Sequence, residues 1–472
     1  MQIIKKHWQK LILIFLLIIG LAVRLYKINS PLADWHSWRQ ADTASVARHF
    51  VDQGYQWLTP RFDDLSKIPS GLENPNGYRF VEFPIYNAVH AFTFQILDGR
   101  IAFETVGRLV SVFASLLAAV FLYLIVAQLL GTGPALLSTA FFLLLPFNIF
   151  YSRTVLPESS MMAAWLISSY LLLKDKVWAS SVVAAIAILI KPYAVFFLAF
   201  DWLVYVLNHP QKKKIFRLGI GVILAGLPFL AWRGWMQQFP EGIPNNRWLL
   251  NGAGYRLKPV WWRWLFFERI GKLILGAWGP SLLIVGIISR LKNKKETLFY
   301  GWLLACFAYL VVFARGNVQH DYYQILIVPT LAVFLGKGGH FLLTAGKKDF
   351  HRFSPVLALV LTVFTLGFSW YGVREYYKIN HPEIIEAGKR ADQILPTEAK
   401  VVAPYEGDTA FLYQIHRPGW PYLTDFVPNM VKLGATHYVS VNFDQVTNEL
   451  VASCQVLEQT PSWVIIDIRN CQ

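Results

Sequence analysis

The hydrophobic positions of this chain are gathered into long blocks, the first of which, "LILIFLLIIGLAV", begins at Leu11. Runs of the same kind lie near 11–28, 105–130, 134–150, 157–173, 177–190, 193–207, 216–234, 271–289, 298–314, 322–336 and 354–371. A helix needs about 20 apolar residues to cross a bilayer. The pattern therefore predicts a polytopic α-helical membrane protein with about eleven transmembrane helices. Several runs hold only roughly 14 residues, which predicts broken, re-entrant or bundle-buried helices there. No small-residue cleavage site follows the first run, so it reads as a retained helix and not as a signal peptide.

Beyond residue 373 the periodicity changes. "HPEIIEAGKRADQIL" has helical spacing with Pro382 in its first turn, while "KVVAPY", "THYVSVNF" and "WVIIDIR" read as strands with helical "DTAFLYQI" and "VPNMVKLG" between them. Such alternation predicts a small α/β domain over 374–472, following a transmembrane domain over 1–373 that includes a first polar loop at 29–104. No internal repeat, low-complexity segment or long linker interrupts either part.

Composition supports the membrane class: 55% of the residues are hydrophobic and 15% aromatic. The net charge of +15 does not point to nucleic acid, because many of the basic residues sit in short loops and no nucleic-acid motif accompanies them. Lys5, Lys6 and Lys10, then Lys174 and Lys176, then Lys212, Lys213, Lys214 and Arg217, then Arg290, Lys292, Lys294 and Lys295, then Lys347, Lys348 and Arg352 occupy every second loop. The positive-inside rule puts these loops in the cytoplasm, and with them it puts the 29–104 loop, "NIFYSRTVLPES", Lys191, "ARGNVQHDYYQ" and the tail outside. The outward loop from Trp235 to Ile270 is basic as well, and longer loops obey the rule less strictly. Short basic loops without trafficking signals suggest a bacterial cytoplasmic membrane. Cys454 and Cys471 either pair, if the tail is extracytoplasmic, or remain free thiols, and Cys306 lies in an apolar run.

Chemistry-bearing residues crowd the outward segments. "ADWHSWRQADTASVARHF" at 33–50 sets Arg39 and Asp42 three apart, and Arg48 and Asp52 four apart, so each pair shares a helix face. A short helix along the membrane surface would hold Asp34, Arg39 and Asp42 above the bundle. The plainer alternative is an N-cap aspartate, a surface ion pair and an aromatic belt. Further along stand Glu82 before Pro84, Arg153 and Glu158, Lys191 at a span end, and Arg315, His320, Asp321, Tyr322 and Tyr323. Charges at membrane depth are costly and read first as functional. Carboxylates here could accept a proton, and Arg, Lys and His could hold a phosphate. For Lys191 and Arg315 the alternative is snorkelling to headgroups. The chain has no Walker loop, Gly-rich dinucleotide fingerprint, His/Cys metal spacing or Asp-x-Asp pair, so no cofactor, metal or nucleotide donor is expected.

Taken in order, "DWHSWRQADTASVARHF", "EFPIYNAVHAF", "GRLVSVFASLLAAV", "YSRTVLPESS", "IKPYA" and "HDYYQILIVP" resemble the GT-C membrane glycosyltransferases, in the branch with protein O-mannosyltransferases and bacterial lipid A aminoarabinose transferase. The resemblance implies a GT-C-like catalytic domain over 1–373 and an extracytoplasmic tail. It also implies inverting transfer of a sugar from a polyprenyl-phosphate carrier to a glycan, lipid or protein acceptor, without a metal. The family's aspartate after the first span is matched by Asp34, with Arg39 as the following arginine, and also by Asp42 at the head of the surface helix. Asp34 or Asp42 would then be the base, and Arg39, Glu82, Arg153, Lys191, Arg315, His320, Tyr322 and Tyr323 the donor-binding set. The chain departs from the family where adjacent Asp-Glu is expected, and it offers a single Pro84 where two prolines follow a basic residue. A transporter, flippase or lipid-binding protein without transferase chemistry is the alternative, but transporters put ionisable groups near the midplane. A polymerase or ligase of lipid-linked glycans would need a larger outward pocket.

Overall fold

The structure is a computed structural model that describes residues 2–289, 296–345 and 353–471; the basic residues expected at 290–295 and 346–352 lie outside the described residues. The chain divides into two compact units, one of Met1–Ile28, Arg108–Ala231 and Asn246–Tyr376, the other of Asn29–Gly107, Trp232–Asn245 and Tyr377–Gln472.

All the runs predicted from the apolar pattern are helical over most of their length. Among the described residues, four helices are long and apolar enough to cross a membrane: Phe103–Leu130, Lys212–Gln238, Asp321–Thr344 and Phe353–Tyr377. Pro259–Ile274 and Gly279–Ile288 form a pair bent by 108°, a fifth crossing if taken together. Thr132–Leu144, Val177–Ile190, Ala194–Asn208 and Thr297–Val312 have 13, 14, 15 and 16 residues. At 1.5 Å per residue these reach only about 20–24 Å, short of a hydrocarbon core of about 30 Å.

Proline sets several of the breaks. Leu145 is extended because it precedes Pro146, which divides the run predicted at 134–150 into Thr132–Leu144 and Pro146–Tyr151. Lys191 is extended for the same reason before Pro192, which ends the Val177–Ile190 helix and leaves the lysine at the break. Within this unit, polar side chains stitch helices together. Arg24 donates from Nε to Ser152 Oγ at 2.7 Å and from Nη1 to the carbonyls of Gly20 and Leu143 at 2.8 and 2.9 Å. The Asp201 carboxylate accepts from the indoles of Trp165 and Trp302 at 3.1 and 2.6 Å.

In the second unit the tail forms a five-stranded sheet of β1 (Val401–Val402), β2 (Gly419–Trp420), β3 (His437–Ser440), β4 (Gln455–Gln459) and β5 (Val464–Asp467), in the order β2-β1-β3-β5-β4. The β2–β1 and β1–β3 pairs are parallel, and β3–β5 and β4–β5 antiparallel. β1, β3 and β5 fall within the predicted strands. β2, β4 and the Gln445–Ser453 helix do not appear in the sequence reading. Cys454 and Cys471 are disulfide-bonded, which settles the open choice, while Cys306 is a buried free thiol.

The polar loop joins this sheet. The Gly419 N–H donates to the Asp63 carbonyl and the Leu65 N–H to the Gly419 carbonyl, both at 2.8 Å, and Leu65 packs into the core with Val402, Trp420, Met430 and Ile466. A side chain at 419 is excluded, because its Cβ would stand 1.8 Å from the Val401 carbonyl oxygen. The helix Ser37–Gln53 packs against Ile85–Ile96 and Thr409–Ile415, with Arg39, Gln40, Asp42 and Ala44 among its buried residues. It is therefore a largely buried element of its unit.

Candidate active site

The Ser37–Gln53 helix starts abruptly. His36 takes a left-handed conformation (φ 55°, ψ 37°) and no side chain caps the helix, so the N-cap role open to Asp34 is not the one it fills. A left-handed non-glycine residue is strained by about 1–2 kcal/mol. The reversal brings Asp34 over the first turn, where its Oδ1 accepts from Gln40 Nε2 at 2.7 Å. Asp34 is buried, and Gln40 completely so.

Arg39 and Asp42, three residues apart, were expected to pair, but the structure gives them different partners. The Arg39 guanidinium forms an ion pair with Glu82 and donates to Thr43 Oγ1 at 3.1 Å. Asp42 instead meets Arg79 at 3.0 Å through Oδ2, while its Oδ1 accepts from the Thr409 hydroxyl at 2.6 Å. Arg79 gets there through a turn. The Asn74 side chain accepts from the Tyr78 N–H at 2.9 Å and Gly77 adopts φ +62°, so that Phe62 and Arg79 bond back to Gly77 and Pro60. A Cβ at 77 would fall 2.5 Å from the Phe62 carbonyl oxygen.

Electrostatics around Arg79 is tightly coupled. Burial pulls its guanidinium below the ordinary arginine value, against the pull of Asp42. Burial also raises the neighbouring Asp64 carboxyl to about 7, against hydrogen bonds from Ser66 and with help from Asp42. Asp408, which caps the Thr409–Ile415 helix, is pushed up to about 6 by burial and Asp42. Asp63 moves the other way: burial opposes its ionisation, but Arg48 and His49 outweigh that and lower its value.

In the other unit, Lys191 is buried and paired with Glu158. Its ammonium lies 5.8 Å from the Tyr193 ring centroid and 5.9 Å from that of Tyr322. Tyr193 meets Tyr323 at 5.8 Å, and Tyr322 meets Tyr323 at 4.5 Å and His320 at 5.6 Å. Four of the expected donor-binding residues thus share one aromatic cluster. Asp321 anchors its edge, accepting from the hydroxyls of Tyr151 and Tyr376 and pairing with Arg269 at 3.0 Å. Arg153, fully buried, donates to the Lys27 carbonyl at 3.1 Å. The Arg315 N–H donates to the Leu250 carbonyl at 2.9 Å, and its guanidinium lies close to Gly252. Among the described residues, no group of three or more His, Cys, Asp or Glu is placed to hold a metal ion.

Residues 83–232 match the family model described as dolichyl-phosphate-mannose-protein mannosyltransferase. In fold, the chain is similar to ArnT from Cupriavidus metallidurans bound to undecaprenyl phosphate, with a TM-score of 0.67, 13% identity, and coverage of 96% of this chain and 97% of that one. The apo state of the same protein gives a TM-score of 0.66 at 13% identity and the same coverage. The fold is ArnT-like. No curated protein matches it in sequence. The partner residues that sequence reasoning missed are Arg79, Gln40, Arg269, Tyr151 and Tyr376. The "NPNG" turn at 74–77 was a readable signal for the first of these, since it returns the chain on itself.

Proposed function

We propose that the chain is an inverting glycosyltransferase that moves a sugar from a polyprenyl-phosphate carrier to an acceptor hydroxyl or amine at the extracytoplasmic membrane face. The observation that carries the reading is that Asp34, just after the first apolar run, is buried and held by a side-chain hydrogen bond from Gln40. Asp34 accepts from the Gln40 amide, and both oxygens of Asp42 are engaged by Arg79 and Thr409. In this reading Asp34 is the general base and Asp42, with both oxygens engaged, anchors the Ser37–Gln53 helix.

The chemistry then needs little else. Asp34 takes the acceptor proton as the acceptor attacks the anomeric carbon. The bond from that carbon to the phosphate oxygen breaks, and polyprenyl phosphate leaves with the electron pair. Lys191 meets the departing phosphate charge, with Tyr322, Tyr323 and His320 around it and Arg315 nearby in sequence. The likeness to an ArnT that binds undecaprenyl phosphate supports a carrier of that class. Arg39 and Glu82, paired with each other, are assigned to donor binding. Arg153, which donates to the Lys27 carbonyl, is kept in the donor-binding set.

In topology we propose about eleven crossings, a membrane domain over 1–373 and an outward tail over 374–472, in a bacterial cytoplasmic membrane. The basic loops support this orientation. So does the Cys454–Cys471 disulfide, a bond that persists in oxidising compartments. The test is release of polyprenyl phosphate from a polyprenyl-phosphate sugar by purified protein. Asp34→Asn should slow release by roughly 10²-fold or more while carrier binding survives. A purified wild-type protein that binds the carrier sugar and never releases the phosphate, with any acceptor class supplied, would refute the reading.

A further inference from the structure

Gln40 is a polar side chain with no exposure at all, in the first turn of a helix whose start is strained. Its amide nitrogen has two protons and, within reach, two acceptors: Asp34 Oδ1 at 2.7 Å and the Trp35 carbonyl at 3.3 Å. It therefore grips both the carboxylate and the backbone of the segment that carries it. That segment reaches Gln40 because His36 turns the chain left-handed. Without the turn, Asp34 would not lie over the first turn of the helix.

We infer that Gln40 is the positioning residue for Asp34, a neutral donor that fixes one carboxylate oxygen of the base for proton abstraction. The inference rests on the reading of Asp34 as the general base. Neutrality is what the chemistry asks for here. A guanidinium or ammonium in place of the amide would orient the carboxylate equally well but would stabilise its anion and lower its basicity. On the same helix, Asp42 is held at both oxygens, by Arg79 and Thr409. Orientation matters because proton transfer requires the base within hydrogen-bond reach of the acceptor, and small displacements of a reacting group cost large factors in rate.

The inference is tested by kinetics of the full-length protein in detergent or nanodiscs, with a polyprenyl-phosphate sugar as donor and release of polyprenyl phosphate as readout. Gln40→Met removes the donor while keeping length; kcat should fall by roughly tenfold or more, with the KM for the carrier sugar unchanged. Gln40→Glu is nearly isosteric and sets a second carboxylate against Asp34. Like charges at that distance hold a proton between them, so the acidic limb of the kcat–pH profile should move up by about one unit or more. A merely structural role would not move that limb. If Asp34→Asn is inactive while Gln40→Glu keeps the wild-type limb, Gln40 does not position the base. If Asp34→Asn remains active, the base itself has been misassigned. Should Gln40→Met not fold, the pH profile of Gln40→Glu decides alone.

Discussion

Substituting Asp42 by Asn separates an anchor from a base, because the two roles predict opposite readouts. The carboxylate stands 3.0 Å from Arg79, with the side chains only 6% and 9% exposed. At that distance the attraction is about 5 kcal/mol at an effective dielectric constant of about 20, before desolvation is subtracted. Removing one partner of a buried pair typically costs about 3–5 kcal/mol, because the remaining charge is left without compensation. Asp64 tempers the loss. Asp42 is one of the groups that keeps its carboxyl protonated, so in Asp42→Asn it ionises more readily and partly neutralises Arg79. The destabilisation should therefore be largest near pH 5 and smaller near pH 8. At about 2–4 °C per kcal/mol for a unit of this size, the expected drop in Tm is roughly 10 °C at the acidic end. Thermal unfolding of the purified protein, followed by tryptophan fluorescence with turnover measured on the folded fraction, gives both numbers. Turnover per folded molecule should fall by less than about tenfold, and Asp42→Asn with Arg79→Gln should recover much of the Tm, as an interaction energy between contacting residues requires. Unchanged Tm with turnover reduced by roughly 10²-fold would refute the reasoning and make Asp42 the base.

Three further outcomes are expected. Lys191→Met should weaken binding of polyprenyl phosphate and leave Glu158 buried without its counterion; adding Glu158→Gln should restore stability but not carrier affinity, as titration with the lipid would reveal. Asp64 is raised to about 7 from an ordinary 3.8, so between those values the folded chain keeps a proton that the unfolded chain has lost. Stability should accordingly fall as pH rises from 4 to 7, by up to about 4 kcal/mol, and level off above; the difference in pH–stability curves between wild type and Asp64→Asn should isolate that slope. A cysteine at Lys213 should be shielded from an impermeant thiol reagent in intact cells and one at Asp425 labelled; the same result at both positions would overturn the proposed orientation.

The helices were legible because apolar runs have few other uses in a chain, and the three buried strands were legible because β1, β3 and β5 are rich in Val, Ile and Tyr. β2 was not, since two residues between prolines and an arginine carry no periodicity. β4 alternates between exposed and half-buried positions but is rich in Gln and Glu, which mask the signal. At the site, residue types and positions were readable, and Asp34 and Lys191 stood out. Their partners were not. Spacing along a helix favoured Arg39 for Asp42, yet Thr43 and Glu82 drew Arg39 away and a turn 37 positions on supplied Arg79. Local periodicity cannot report a contact made by a loop. Nor could it report that His36 would turn left-handed, on which the Asp34–Gln40 contact depends.

The bond between Thr409 and Asp42 joins residues 367 positions apart, and Arg48 reaches the Tyr413 carbonyl across 365. During synthesis at about 5–20 residues per second, on the order of half a minute passes between emergence of the two partners. Through that interval the Ser37–Gln53 helix has neither the hydroxyl for Asp42 nor the carbonyl for Arg48, and Leu65 has no sheet to enter. A nascent chain can thus complete its apolar helices while the contacts of this second unit stay unmade. A chain stalled before Gly419 would lack the backbone groups that Asp63 and Leu65 bond to, so the polar loop is fixed only after the tail has been made.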